Sequence, residues 1–157
     1  MIERIISGGQ TGADRAALDI ALELGISIGG WIPRGRLAED GIVPAHYSNL
    51  VETDSALYAR RTELNVRDSD ATIIFSFGPP TGGSALTEKF AHALAKPVLV
   101  LNLDALSRDR ATACSREWIA EMQPRVLNVA GPRLSNAPRI AQATVDILRE
   151  ILQTGAA

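Results

Sequence analysis

The stretch IISGGQTGADR, residues 5–15, decides the fold of this 157-residue chain. Two isoleucines form a short apolar run, three glycines (Gly8, Gly9 and Gly12) interrupt it, and an amphipathic helical pattern follows over residues 16–24. A strand, a glycine turn and a helix start collect unpaired backbone N–H groups at the positive end of a helix dipole, where phosphates bind. The stretch lacks both the G-x-G-x-x-G spacing and the P-loop Lys-Ser/Thr ending, so a plain strand-to-helix turn stays an alternative.

A second glycine-rich turn has the same surroundings. Residues 72–75 have the composition of a buried strand, SFGPPTGGS (76–84) follows, and helical spacing covers residues 85–95. Open α/β sheets bind ligands at the carboxyl edge of their strands, at a topological switch point. The two turns are therefore expected to face each other across one anion-binding site. The alternative is that residues 78–80 form a stiff connector, but Gly82-Gly83 adds freedom that a connector does not need.

Strands and helices alternate along the whole chain. The predicted strands lie near residues 4–7, 26–28, 50–51, 71–75, 97–101 and 125–129, and the predicted helices near 14–24, 55–66, 84–95, 115–122 and 138–152. This order predicts an α/β fold: a single doubly wound, Rossmann-like domain over residues 1–157, with a mainly parallel sheet and helices on both faces. Residues 29–49 are expected to form a long loop, and loops of this length are usually functional or disordered.

Composition limits the classes of partner. A net charge of −2 argues against a nucleic-acid partner, which a basic surplus would indicate. The chain has no apolar run of membrane-spanning length and no signal-peptide pattern, so no membrane partner is expected. The single cysteine, Cys114, excludes an internal disulfide and suits a reducing cytoplasm. One cysteine and two histidines do not build a soft metal cluster, so no metal site is expected on the protein.

Four blocks resemble those of the molybdenum cofactor carrier family: residues 7–19, 29–41, 61–70 and 82–87. Their order and spacing match over roughly residues 3–150. That family is similar to the wider group of Rossmann-like domains that includes the Lonely Guy phosphoribohydrolases. The resemblance implies a homo-oligomer, either a dimer or a tetramer. It also implies a small phosphorylated pterin or nucleotide as ligand, with the molybdenum cofactor as cargo.

The resemblance also implies which residues bind. The cofactor brings its own dithiolene sulfurs for the metal, so the protein must supply anion recognition instead of soft ligands. The expected binding residues are Gly8, Gly9, Gln10, Thr11, Gly12, Asp14, Arg34, Arg36, Gly82, Gly83, Ser84 and Thr87. Asp14, at a helix start, is either a capping residue or a ligand contact. Tyr58 and Arg61, one helical turn apart, are expected only to cover the sheet.

Two other functions stay open at this point. The phosphoribohydrolases carry P-G-G-x-G-T-x-x-E, in which the Glu acts beside an arginine in cleavage of a glycosidic bond. Lys89 takes the place of that Glu here and Ala85 takes the place of a glycine, so a hydrolase would rely on Glu88 and Arg15 instead. Glu88 points about 100° away around the helix from the expected carboxyl position. The remaining alternative is a nucleotide-sensing module that needs neither metal nor turnover.

Overall fold

The computed structural model describes residues 1–153, and residues 154–157 of the predicted domain lie outside that range. Its strands are β1 (Arg4–Ile6), β2 (Ser27–Ile32), β3 (Leu37–Ala38), β4 (Gly41–Ile42), β5 (Leu50–Glu52), β6 (Ala71–Ser76), β7 (Val98–Asn102) and β8 (Val126–Ala130). Its helices are α1 (Ala13–Glu23), α2 (Tyr58–Arg67), α3 (Gly82–Ala93), α4 (Arg108–Met122) and α5 (Ile140–Gln153).

Six of the strands form one parallel sheet, and the chain adds strands to it on both sides of the centre. The order is β5-β2-β1-β8-β6-β7, and every neighbouring pair is parallel. The chain passes through α1 from β1 to β2 on one side, and through α3 from β6 to β7 on the other. Because such crossovers are right-handed, α1 and α3 lie on opposite faces of the sheet. The predicted doubly wound, Rossmann-like α/β fold is confirmed.

The last strand along the chain, β8, lies at the centre of the sheet between β1 and β6. In the usual order 3-2-1-4-5-6, the place beside the first strand belongs to the fourth strand. The carboxyl ends of β1, β8 and β6 are therefore neighbours. The segments that follow them (residues 7–12, 131–139 and 77–81) leave the same edge of the sheet side by side.

Residues 29–49 are not one long irregular loop as predicted. Strand β2 continues as far as Ile32, and β3 pairs with β4 in a two-stranded antiparallel hairpin. The strand also passes close to the first glycine turn, since a Cβ at Gly30 (φ +130°) would lie 2.3 Å from the Ser7 carbonyl oxygen. Only glycine permits both this φ and this approach. In the sequence, the glycine pair at 29–30 resembles the end of a strand. In the structure the pair lies within β2, where it permits close packing.

Two helices begin earlier than predicted. Helix α4 begins at Arg108, because the Ser107 side chain accepts a hydrogen bond from the Arg110 amide (3.2 Å) and so caps the helix. Helix α3 begins at Gly82, within the glycine pair that was assigned to the turn. The other predicted helices and strands are present with ends shifted by a few residues.

The core lies between the sheet and its two helical layers. Strand β6 is buried along its whole length, as is usual for a central parallel strand covered on both faces. On one face α5 packs against α1 and α4, whereas α2 and α3 pack against each other. Among residues 1–153, no helix has the length and apolar character needed to cross a membrane.

Gly131, directly after β8, offers a test of this packing. A Cβ at Gly131 would lie 2.5 Å from the Ala13 Cβ and 2.8 Å from the Phe75 carbonyl oxygen. We therefore expect Gly131→Ala to lower the free energy of unfolding by about 1–3 kcal/mol in denaturant titrations. Gly83→Ala is the matched control, because a Cβ there meets open space. We expect that control to be unchanged or slightly more stable. Equal stability of the two variants would contradict the packing described here.

Candidate functional site

An open cavity of about 730 Å³, including its mouth, lies where β1, β8 and β6 end. This is the topological switch point of the sheet, the usual ligand position in open α/β folds. The cavity is bounded by the first glycine turn, the start of α3, one face of α2 and the segment after β8. Its lining residues are Gly8, Gln10, Asp14, Arg61, Thr62, Asn65, Thr81, Gly82, Gly83, Ser84, Thr87, Asn128, Val129, Ala130, Gly131, Pro132, Arg133 and Asn136.

The structure brings both predicted glycine turns to this cavity, but only part of each reaches it. Seven of the predicted site residues line it: Gly8, Gln10, Asp14, Gly82, Gly83, Ser84 and Thr87. The others do not: Gly9, Thr11, Gly12, Arg34 and Arg36, together with Arg15 and Glu88 of the hydrolase alternative.

The arginines outside the cavity have structural partners. The Arg36 guanidinium donates to the carbonyls of Val43 (3.2 Å) and Pro44 (3.1 Å), which fixes the chain beyond the hairpin. Arg15 forms a two-pronged contact with Asp40 and donates to the Gly9 carbonyl. The Arg34 side chain is exposed, and within residues 1–153 its guanidinium makes one long contact, of 3.4 Å, with the Asp54 carbonyl.

The start of α3 presents free hydrogen-bond donors to the cavity. Thr81 makes no side-chain cap, and the first amides of a helix have no acceptor within it. The Gly82 and Gly83 amides have no hydrogen bond to any residue of 1–153, and a Cβ at either glycine would meet open space. Ser84, a largely buried residue, lies beside them, and its hydroxyl has no hydrogen bond to any of these residues. This end of the cavity is therefore suited to an anion.

The first glycine turn is different, because most of its amides, although not that of Gly12, are already hydrogen-bonded within the protein. The Gln10 amide donates to the Asp14 carboxylate (3.1 Å), and the Thr11 amide donates to the Gln10 side-chain oxygen (3.1 Å). The Ala13 amide, at the start of α1, donates to the Pro132 carbonyl (3.4 Å). The protein itself thus occupies much of the N-terminus of α1, and the turn contributes Gly8, Gln10 and Asp14 to the lining of the cavity.

The Gln10 side-chain amide is hydrogen-bonded through its oxygen but not through its nitrogen within residues 1–153. Its Oε1 accepts from the Thr11 amide and from the Glu39 amide (2.9 Å), whereas its Nε2 is buried without a hydrogen-bond partner in residues 1–153. Glu39 belongs to the hairpin segment, and its carboxylate also accepts from the Thr11 hydroxyl and from Ser135. The hairpin, the first turn and the segment after β8 are therefore tied together beside the cavity.

A buried ion pair forms the wall between α1 and α2. Arg61 on α2 donates to the Gly8 carbonyl and to the Thr62 hydroxyl (3.3 Å), and its Nη1 lies 3.8 Å from the Asp14 carboxylate. Burial raises the pKa of Asp14 to about 6, although Arg61 and the Gln10 amide act in the opposite direction. Burial likewise lowers the pKa of Arg61. Gly8 allows this arrangement, because a Cβ there would lie 2.7 Å from the guanidinium carbon and would displace the Arg61 side chain.

Eleven lining residues were not predicted from the sequence, and the polar ones among them include Arg61, Asn65, Asn128 and Arg133. Arg61 was interpreted from the sequence as a residue that covers the sheet, whereas in the structure it also lines the cavity. Asn65 lies one turn further along α2 and exchanges hydrogen bonds with the Trp31 backbone (2.8 and 2.9 Å). The i, i+4 spacing of these two residues was a usable signal, since it places both on one helix face. Nothing in the sequence near Asn128 or Arg133 resembles a binding motif.

Within residues 1–153, no group of three or more His, Cys, Asp or Glu side chains is arranged to hold a metal ion. The charged residues that line the cavity are Asp14, Arg61 and Arg133, so the lining has a net charge of +1 with Asp14 ionised. Arg133 has no ion pair in the described chain, and its guanidinium lies 5.5 Å from the centre of the Tyr58 ring.

The fold and the cavity define a Rossmann-like protein with a polar pocket at the switch point of its sheet. The model of the circularly permutated YpsA SLOG family matches residues 5–152, and the chain belongs to this family. The position of β8 at the centre of the sheet agrees with a permuted strand order.

A solved structure is closely similar to this chain. It is the crystal structure of a protein from Syntrophus aciditrophicus SB described as a "putative molybdenum carrier protein". The two sequences are 52% identical, the match covers 96% of this chain and 95% of the other, and the TM-score is 0.94. The resemblance found in the sequence is therefore confirmed. A comparison with the functionally curated proteins gives no significant match.

The raised pKa of Asp14 leads to a prediction about stability. Because the folded-state pKa of about 6 lies above the ordinary value of 3.8, ionising Asp14 destabilises the folded state relative to the unfolded one. We expect Asp14→Asn to increase the free energy of unfolding above pH 6 by up to about 3 kcal/mol. The gain should shrink as the pH falls from 6 and vanish below about pH 4.

Denaturant titrations between pH 4 and pH 8 measure this difference. The control is Asp109→Asn, an exposed carboxylate in the first turn of α4, for which no such pH-dependent gain is expected. A loss of stability in Asp14→Asn that is largest at pH 8 would show that the ion pair with Arg61 outweighs the cost of burial.

Proposed function

We propose that this protein binds and carries the molybdenum cofactor, with the phosphate of the cofactor at the start of α3. The observation that carries the proposal is the convergence of the Gly82 and Gly83 amides with the unpartnered Ser84 hydroxyl in one cavity. A helix N-terminus with free amides is a ready phosphate site. The similarity to the Syntrophus protein described as a "putative molybdenum carrier protein" supports the choice of cargo.

The cavity fits the cofactor in its polarity and in its lack of metal ligands. Molybdenum in this cofactor is held by the dithiolene sulfurs of the pterin, so the protein has no need of thiolates, and Cys114 does not line the cavity. Asn65, Asn128 and Asn136 give the walls neutral amide groups that suit the donors and acceptors of a pterin ring. Arg133, without an ion pair in the described chain, is available to the negative charge of the cargo.

A nucleoside monophosphate presents the same phosphate group to the cavity, and it would be the substrate of the hydrolase alternative. Its two assigned residues, Glu88 and Arg15, lie outside the cavity, and Asp14 is the only carboxylate in the lining. General acid–base catalysis requires a carboxyl group within hydrogen-bond reach of the bond that breaks. We therefore favour carriage without turnover. Release of free base from AMP by the purified protein would contradict this choice.

Gly83→Val provides the direct test of the cavity. A valine side chain there enters the open space beside the amide donors, so we expect at least a tenfold loss of bound cofactor. The protein is isolated without air, and its molybdenum is measured by mass spectrometry and its pterin by fluorescence after oxidation. Ala93→Val is the matched control, because it makes a valine in the exposed last turn of the same helix.

Two results would contradict the proposal. The first is that the wild-type protein retains neither molybdenum nor a pterin. The second is that Gly83→Val retains both at the wild-type level while circular dichroism shows both variants folded. In the second case the cargo would bind at another place on the protein.

We also propose that the carrier is a homo-oligomer. Leu37 and Ile42 are opposite each other in the β3–β4 hairpin, so both project from one face, and Ile42 is 65% exposed. Val51 is exposed on the edge strand β5, where a row of backbone groups is free to pair. Light scattering is expected to give the mass of a dimer or a tetramer, and Ile42→Glu is expected to lower it. A monomeric wild-type protein would contradict the proposal.

A further inference from the structure

We propose that Asp14 sets the charge of the ligand that the cavity accepts, by taking up one proton from solvent when a dianion binds. The inference rests on the proposed binding of a phosphorylated ligand in this cavity. It adds a role for the Asp14–Arg61 pair, which binding of a phosphate at the start of α3 does not itself require. The only covalent change is the transfer of one proton, which leaves a solvent or buffer molecule and forms an O–H bond on the Asp14 carboxylate.

The charges around the cavity carry this inference. With Asp14 ionised, the lining has a net charge of +1. A monoanionic ligand therefore leaves the filled cavity neutral, whereas a phosphate-monoester dianion leaves one negative charge in excess. Protonation of Asp14 removes that excess. Asp14 and Arg61 are both buried, so charges beside them are less screened than at the surface, and this favours the neutral arrangement.

The surroundings of Asp14 permit this protonation. Its carboxylate is fixed by the Gln10 amide and lies 3.8 Å from the Arg61 guanidinium, its one close cationic partner. Arg15 on its own helix is turned to Asp40, and Arg133 lines the same cavity from the segment after β8. All three arginines stay charged at neutral pH, so Asp14 is the group that titrates.

Burial already raises the pKa of Asp14 to about 6 in the absence of ligand. A dianion in the same cavity competes with Asp14 for Arg61 and repels its carboxylate, and both effects raise the pKa further. At pH 7 the free carboxyl is mostly ionised, whereas in the complex it is mostly protonated. Binding then takes up between about half a proton and one proton, and the affinity for a dianion rises up to tenfold for each pH unit lowered toward 7.

The experiment measures proton uptake by calorimetry at pH 7.0–8.0, in buffers with different heats of protonation. AMP is the dianionic probe, because the second pKa of a phosphate ester lies near 6. Adenosine 5′-sulfate is the monoanionic probe of the same shape. For the wild-type protein we expect uptake with AMP and none with the sulfate. For Asp14→Asn we expect AMP to bind without proton uptake and with an affinity that no longer depends on pH.

Asp109→Asn, on the exposed start of α4, is the matched control and should keep the proton uptake. Uptake that persists in Asp14→Asn overturns the inference, because the proton then resides on the ligand or on another group. Equal uptake with AMP and with the sulfate, measured on the wild-type protein alone, overturns it even where the variant does not fold. The absence of AMP binding overturns both the inference and the phosphate site of the proposed function, whereas AMP binding without proton uptake overturns only the inference.

Discussion

The buried guanidinium of Arg61 connects the parts of the molecule that surround the cavity. It extends from α2, donates to the carbonyl of Gly8 in the first turn, and faces Asp14 on α1. A buried charge is tolerated only where it is paired and hydrogen-bonded, so these three elements must keep a fixed relation to one another. Gly8 is part of the same constraint, because no side chain fits between that turn and the guanidinium. The position of this cavity wall thus depends on keeping the buried charge of Arg61 paired and hydrogen-bonded.

The two helix N-termini at the sheet edge have taken different roles. At α1 the Pro132 carbonyl and the side chains of Gln10 and Asp14 accept the amides, which makes this turn a structural joint. At α3 the Gly82 and Gly83 amides have no acceptor in the described chain. Two open N-termini would favour a ligand with two anionic groups at a fixed separation. The protein accepts most of the amides at α1 and none of the Gly82 and Gly83 amides at α3, so the main anion end of the cavity is at α3, with neutral amides and Arg133 along other parts of its wall.

The sequence predicted the fold well because the signals for it are local. Apolar runs, glycine turns and helical spacing each lie within about a dozen residues, and they are enough to indicate a doubly wound sheet. The site was predicted only in part, because its residues meet through topology. Arg133 reaches the cavity because β8 lies between β1 and β6, a fact that no local pattern contains. Arg34 and Arg36 were plausible anion ligands by composition, yet Arg36 is used to hold the backbone at residues 43–44.

The placement of Asp14 beside Arg61 has a consequence for a carrier, which must bind its cargo and also release it. A surface carboxylate changes the potential at a neighbouring site only weakly, because water and salt screen it. Asp14 is buried, so the gain or loss of one proton there changes the charge of the cavity lining between +1 and +2 with little screening. The Asp14–Arg61 pair between α1 and α2 is therefore also the element through which pH acts on an anionic cargo. Fold stability and ligand affinity are coupled at this one carboxyl group.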